Sequence, residues 1–134
     1  MKQRARYRCE YCHLTAVVFH VDHIIPWRLW AGSPEAYHHP DNLACACIYC
    51  NSTKQDAVDG PDAVSGARVP WYNPRASAGT WEDHFAWSDD YRKITPVSAI
   101  GRATMSVLKM NRTHYKDQRV LLRNAWLGGG NPWP

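Results

Sequence analysis

The sequence predicts a small α+β domain that runs strand, long loop, strand, helix, followed by a short β/loop segment and a C-terminal helical extension. Three observations predict it. Two cysteine pairs, Cys9-x-x-Cys12 and Cys47-x-x-Cys50, clamp the first part of the chain. Between them lie two short apolar runs separated by a stretch containing Pro26, Gly32, Pro34 and Pro40. Beyond Thr95, apolar residues recur at helical spacing.

Tyr7 to Leu14 reads as a cysteine knuckle, and Ala16 to Asp22 as a strand rich in Val and Phe. Residues 24–41 form a long irregular loop, a length that in a compact domain usually serves function. Asn42 to Ala46 supplies a second short strand. From Cys47 to about Gln55 no breaker occurs, so a helix there places Cys47, Cys50, Asn51 and Lys54 on adjoining turns of one face. Residues 56–70 resemble a linker, with Gly60, Pro61, Gly66 and Pro70. Val69–Tyr72 and Thr80–Trp87 suit short strands or aromatic-rich ordered loop. Thr95-Pro96 reads as a helix opening, Thr as cap and Pro in the first turn, with Val97, Ile100, Thr104, Val107 and Leu108 on one face. A second helix is expected from about Thr113 to Trp126. The domain plan is therefore a clamped core over 1–58, an extension over 59–127 that packs on it, and a flexible tail over 128–134.

The 134 residues suffice for a modest core, to which seven tryptophans and seven tyrosines contribute large apolar faces. No apolar run spans a bilayer, and no apolar signal region follows the basic start, so a soluble, cytoplasmic protein without membrane association is expected. The formal charge of +4 is unevenly spread. Lys2, Arg4, Arg6 and Arg8 open the chain without an acid, residues 55–91 are acidic, and residues 92–134 carry eight basic residues against Asp117. Such a distribution suits a polyanion lying across part of the surface, and equally a set of solvated faces.

Zinc takes four soft ligands in a tetrahedron, and each Cys-x-x-Cys presents two thiolates at the required separation. Cys9, Cys12, Cys47 and Cys50 together would fill the coordination sphere, which makes the zinc structural, with no position open to substrate. Sites of this kind contribute on the order of 10 kcal/mol to folding. A redox motif would need only one pair, in a thioredoxin-like context. Cys45, flanked by small residues, reads as a packed thiol outside the ligand set.

The residues inside and just after the clamp suit phosphodiester hydrolysis. That reaction needs an activated water, a hard cation on the phosphate oxygens and help for the leaving alkoxide. Asp22 offers a carboxylate and Asn51 an amide oxygen for a magnesium-class ion. His23 is the side chain able to take a proton near neutral pH, and Lys54 is expected to contact phosphate. Taken singly, His23 also suits a hydrogen-bonded core histidine, and Asn42, after Pro40-Asp41, a turn residue.

Together, Cys9-Glu-Tyr-Cys12, Val21-Asp-His-Ile-Ile-Pro26, Asp41-Asn-Leu43 and Cys47-Ile-Tyr-Cys-Asn51-x-x-Lys54 resemble the HNH endonuclease family in its four-cysteine zinc version. The resemblance covers residues 9–54 and implies a ββα-metal finger in a bacterial or phage-encoded protein. It implies His23 as general base, Asp22 and Asn51 as ligands of a catalytic magnesium or manganese ion, and Asn42 as the residue that holds the long loop so that His23 stays oriented. The implied partner is DNA, double-stranded in the first instance, with nicking as the default outcome and a homodimer or a larger packaging or defence complex as a possible setting. More loosely, Asn73-Pro-Arg75, Trp81, His84-Phe85, Trp87, Gly101-Arg-Ala-Thr104 and Asn111 resemble the downstream block of stand-alone bacterial and phage members. Arg112, Lys116, Arg119 and Arg123 share a helical face that can contact phosphates or simply be solvated. Departures from the family include a lone Gly32 where relatives often carry a glycine pair, and the added imidazoles His38 and His39. The rival class is a zinc-stabilised nucleic-acid-binding module, for which Asp22, His23 or Asn51 would be expected to be missing.

Overall fold

A computed structural model describes residues 1–15, 18–76 and 79–125 of the chain. The end of the expected second helix at Trp126 and the expected tail over 128–134 lie outside the described residues.

The first strand, β1 (Phe19–His23), pairs antiparallel with β2 (Leu43–Cys47). In their register Asp22 lies opposite Ala44 and His23 opposite Leu43. The strand β2 is buried along most of its length, and its Ala-Cys-Ala-Cys run suits that position. Small side chains let the N-terminal knuckle lie directly against it. The Glu10 amide donates to the Cys45 carbonyl at 2.8 Å, and the Cys45 amide donates to the Glu10 carboxylate at 2.7 Å. A short helix, α1 (Ile48–Lys54), follows without a break, capped by the Cys47 sulfur, which accepts from the Cys50 amide. Inside the long loop the chain makes three 3-10 turns, at Trp27–Leu29, Glu35–His38 and Pro40–Asn42, so the loop has more order than its breakers suggest.

The segment expected to be a linker folds as a hairpin of β3 (Asp59–Pro61) and β4 (Arg68–Pro70). Asp62 organises its turn, accepting from the Val64 and Ser65 amides and from the Ser65 hydroxyl. Gly66, at φ 73°, supplies the left-handed residue that the turn needs. A second hairpin pairs β5 (Phe85–Trp87) with β6 (Ile94–Pro96).

Thr95 and Pro96 therefore belong to a strand and not to a helix opening. The helix α2 (Ala99–Leu108) starts three residues later than that cue suggests, capped by the Ser98 hydroxyl on the Gly101 amide at 3.0 Å. The strand wins because Pro96 has no amide hydrogen to lose at a strand end, while Ser98 supplies a better cap. Gly101 fixes the position, since a Cβ there would sit 2.1 Å from the His84 carbonyl oxygen. The last helix, α3 (Thr113–Ala125), agrees with the expected start.

One apolar cluster runs through both parts. It joins the clamp cysteines, Tyr11 and Leu14 to Trp71, Tyr72, Trp81, Phe85, Leu108, Met110 and Tyr115. Directional bonds reinforce the join: the Trp81 indole donates to the Tyr11 carbonyl at 2.8 Å, and Arg75 pairs with Glu10 at 2.6 Å. No helix among the described residues is long and apolar enough to cross a membrane.

Candidate metal centre and active-site cleft

The knuckle brings Cys9 and Cys12 to β2 and the start of α1, where Cys47 and Cys50 meet them. All four sulfurs lie within 4.8 Å of one another and are buried, with Cys12 and Cys47 at 3.8 Å. A tetrahedron with zinc–sulfur bonds of about 2.3 Å has edges of about 3.8 Å, so the donor set and its spacing fit zinc. Cys45 stays outside the cluster, and burial, then the nearby Glu10 carboxylate, pushes its thiol up to about 11.

A zinc held by the four thiolates would carry two net negative charges, and α3 brings Tyr115 and Arg119 toward that cluster. The Tyr115 hydroxyl lies 3.7 Å from the Cys50 sulfur, and burial, then the neighbouring Cys50, pushes its ionisation well above the ordinary value. Arg119 is fully buried nearby, its guanidinium 5.3 Å from the Trp87 ring centroid and 5.7 Å from that of Tyr115. It donates to the Arg92 carbonyl and the Asn111 side chain.

On the other side of β1, an open polar cleft of about 260 Å³ is lined by Asp22, His23, Tyr37, Asn51, Gln55 and Asp56. The pairing of β1 with β2 and the direct entry of β2 into α1 set His23 and Asn51 across this gap. Asp22 is buried: its Oδ2 accepts from the Tyr11 hydroxyl at 2.5 Å and its Oδ1 from the Lys54 ammonium at 3.2 Å. Each oxygen keeps a further acceptor site. Burial raises the Asp22 pKa, opposed by Lys54 and Tyr11. Burial lowers that of His23, with His38 and Lys54 acting the same way and Asp22 against it. The His23 ring stacks on Tyr37 at 4.2 Å with an interplanar angle of 2°, and its Nε2 lies 3.0 Å from His38 Nδ1.

Asn42 is buried beneath the loop. Its Oδ1 accepts from the Ile25 amide at 2.9 Å, and its Nδ2 donates to the carbonyls of Ile25 and Tyr37, both at 3.1 Å. One side chain thus ties the chain just after His23 to the residue stacked on it. A larger cavity, about 350 Å³, lies behind Asp22 and is walled chiefly by apolar groups such as Ile24, Trp71 and Ile100. Tyr11 and Lys54 border it, but both are engaged by Asp22.

Residues 9–57 match the family model described as HNH endonuclease. This segment, little more than a third of the chain, is similar to HNH domains. No curated protein and no solved structure matches the chain significantly.

Two expectations about phosphate contacts are corrected. Lys54 does not face solvent: it is 2% exposed and bonded to Asp22 Oδ1 and to the His23 carbonyl at 3.0 Å. The Asp22 carboxylate would be left buried without a countercharge if Lys54 pointed outward, so the ammonium turns in. The basic stripe on α3 is likewise not one solvated face. Arg119 is buried and Arg123 bends to the Asp90 carbonyl at 3.4 Å, because that face packs on the β5–β6 hairpin. Arg112 is exposed and Lys116 half-buried. Sequence reasoning did not single out Tyr11, Tyr37 or Asp56, and left His38 without a purpose. Tyr11 sits between two metal-site cysteines, where its hydroxyl shows no pattern, and Tyr37 and His38 reach His23 only through the loop's path.

Proposed function

We propose that the chain is a metal-dependent DNA endonuclease whose ββα-metal finger hydrolyses phosphodiester bonds. The observation that carries this reading is the convergence of Asp22, His23 and Asn51 on one open cleft inside a segment similar to HNH domains. Asp22 and Asn51 would hold a magnesium- or manganese-class ion, which when bound stabilises charge on the phosphate oxygens. The donor set suits it: one carboxylate with spare acceptor capacity and one amide, both oxygen ligands.

His23 takes a proton from the water that attacks phosphorus, and the bond to the 3′ oxygen breaks. The products are 5′-phosphate and 3′-hydroxyl ends. Stacking on Tyr37 limits rotation of the His23 ring, and Asn42 holds the loop that carries Tyr37. Lys54 holds both the Asp22 carboxylate and the backbone at His23, so it shapes the site from behind. The zinc clamp fixes the knuckle and α1, and thereby the distance from Asn51 to β1. One active site per chain makes nicking of double-stranded DNA the default.

The test is supercoiled plasmid incubated with magnesium, manganese or chelator, for the protein and for His23→Ala. Metal-dependent nicking by the protein and its loss in His23→Ala, at unchanged zinc content, is the expected result. Retained cleavage in His23→Ala would remove His23 as base. No metal-dependent nicking at all would turn the assignment to a zinc-stabilised nucleic-acid-binding module.

A further inference from the structure

We infer that His38 is a positioning residue for His23, fixing its tautomer so that Nδ1 is the basic nitrogen. The inference rests on the nuclease reading above and adds a residue to it.

The long loop brings four aromatic side chains around His23. Tyr37 lies flat against its ring, and Trp27 and Trp30 pack edge-on against Tyr37 at 5.0 and 5.7 Å. With the Tyr37 carbonyl held by Asn42, the next residue is delivered to a fixed place: His38 Nδ1 lies 3.0 Å from His23 Nε2, the two rings at 70°. Its neighbour His39 takes no part, since its Nδ1 accepts from the Asp41 amide.

A neutral imidazole has one N–H and one lone pair. Two pairings are therefore open at this contact. If His38 Nδ1–H donates to His23 Nε2, the one lone pair of His23 is occupied and Nδ1 carries a hydrogen, so no nitrogen is left to accept a proton from water. If His23 Nε2–H donates to His38 Nδ1, the lone pair on His23 Nδ1 is available. Only the second pairing serves a base, and it requires His38 to carry its own hydrogen on Nε2. Histidine bases and ligands generally have their tautomer set by the bond at the other ring nitrogen. Here that bond comes from a side chain of the loop.

The test compares His38→Leu, His38→Asn and His38→Gln. Asn sets an acceptor where Nδ1 stood, whereas the amide of Gln lies one bond further out. Nicking kinetics under metal should show kcat reduced about tenfold in His38→Leu, with KM within about twofold, a fraction of what a general base contributes. His38→Asn should restore most of the rate and His38→Gln should not. Nitrogen-15 spectra of the imidazoles, taken at mildly alkaline pH, should show His23 as the Nε2–H tautomer and a mixture in His38→Leu. A wild-type rate in His38→Leu, or equal rescue by Gln and Asn, would overturn the inference. If the wild-type protein does not nick, the nuclease reading fails, and the spectra still decide the pairing: an Nδ1–H tautomer, or one indifferent to His38→Leu, overturns it.

Discussion

Replacing Lys54 by methionine separates a phosphate-facing lysine from the buried one in the structure. Methionine keeps most of the side chain's volume and removes the charge. An exposed lysine that reaches for phosphate would contribute about 0–1 kcal/mol to folding. The observed Lys54 is 2% exposed, and the side chain of its partner Asp22 is 6% exposed, at 3.2 Å. Removing the ammonium leaves a buried carboxylate with the Tyr11 hydroxyl, and frees the His23 carbonyl as well. Breaking one side of such a pair costs about 3–5 kcal/mol. With a urea slope of about 2 kcal/mol per molar, the unfolding midpoint of zinc-loaded Lys54→Met should fall by about 2 M. Asp22→Asn with Lys54→Met removes both charges, so the double variant should be more stable than Lys54→Met alone, with a coupling of at least about 2 kcal/mol. Tryptophan fluorescence in urea reads all four proteins of the cycle. A loss below about 1 kcal/mol in Lys54→Met, or strict additivity in the double variant, would refute the buried pair.

Three further outcomes are expected. Hydrogen bonds from Arg102, then Ser65, hold the Asp62 carboxyl well below the usual carboxylate range, so its contribution is complete above the unfolded pKa of about 4 and is lost as pH falls below it. Asp62→Asn should therefore melt lower than wild type at neutral pH, with the gap closing in acid; a gap constant with pH would contradict this in a calorimetric series. At the cysteine centre, metal analysis should find one zinc per chain in wild type and little in Cys50→Ser. Tyr115→Phe should keep the metal but bind it about 10–100-fold more weakly in a chelator competition, because a thiolate loses its hydroxyl donor.

Much of the site is legible in the sequence because its signals are local. Two Cys-x-x-Cys pairs have a spacing that metal chemistry dictates, and Asp22-His23 and Asn51 stand at fixed offsets from them. The strands β1 and β2, and the helices α1 and α3, follow from apolar runs and the absence of breakers. Other features were hidden for identifiable reasons. The hairpin at 59–70 has strands of three residues, too short to show a period, and its glycines and prolines read as a linker. The start of α2 is misplaced because Thr95-Pro96 carries a helix-opening pattern, and only the pairing of Pro96 with Phe85 shows it to be strand.

The sequence by itself determined which donors stand where along the chain: four thiolates spaced for a soft metal, and the carboxylate, imidazole and amide that the proposed phosphodiester chemistry would use. These follow from side-chain type and spacing along a chain that cannot stretch. Tertiary structure decided what each charged group faces. Lys54 turns inward to Asp22, Arg119 lies buried beside the cysteine centre, and His38 meets His23 across a loop. Burial and partnership depend on residues distant along the chain, and the direction of a lysine or arginine follows from where an uncompensated charge would otherwise be left in the core.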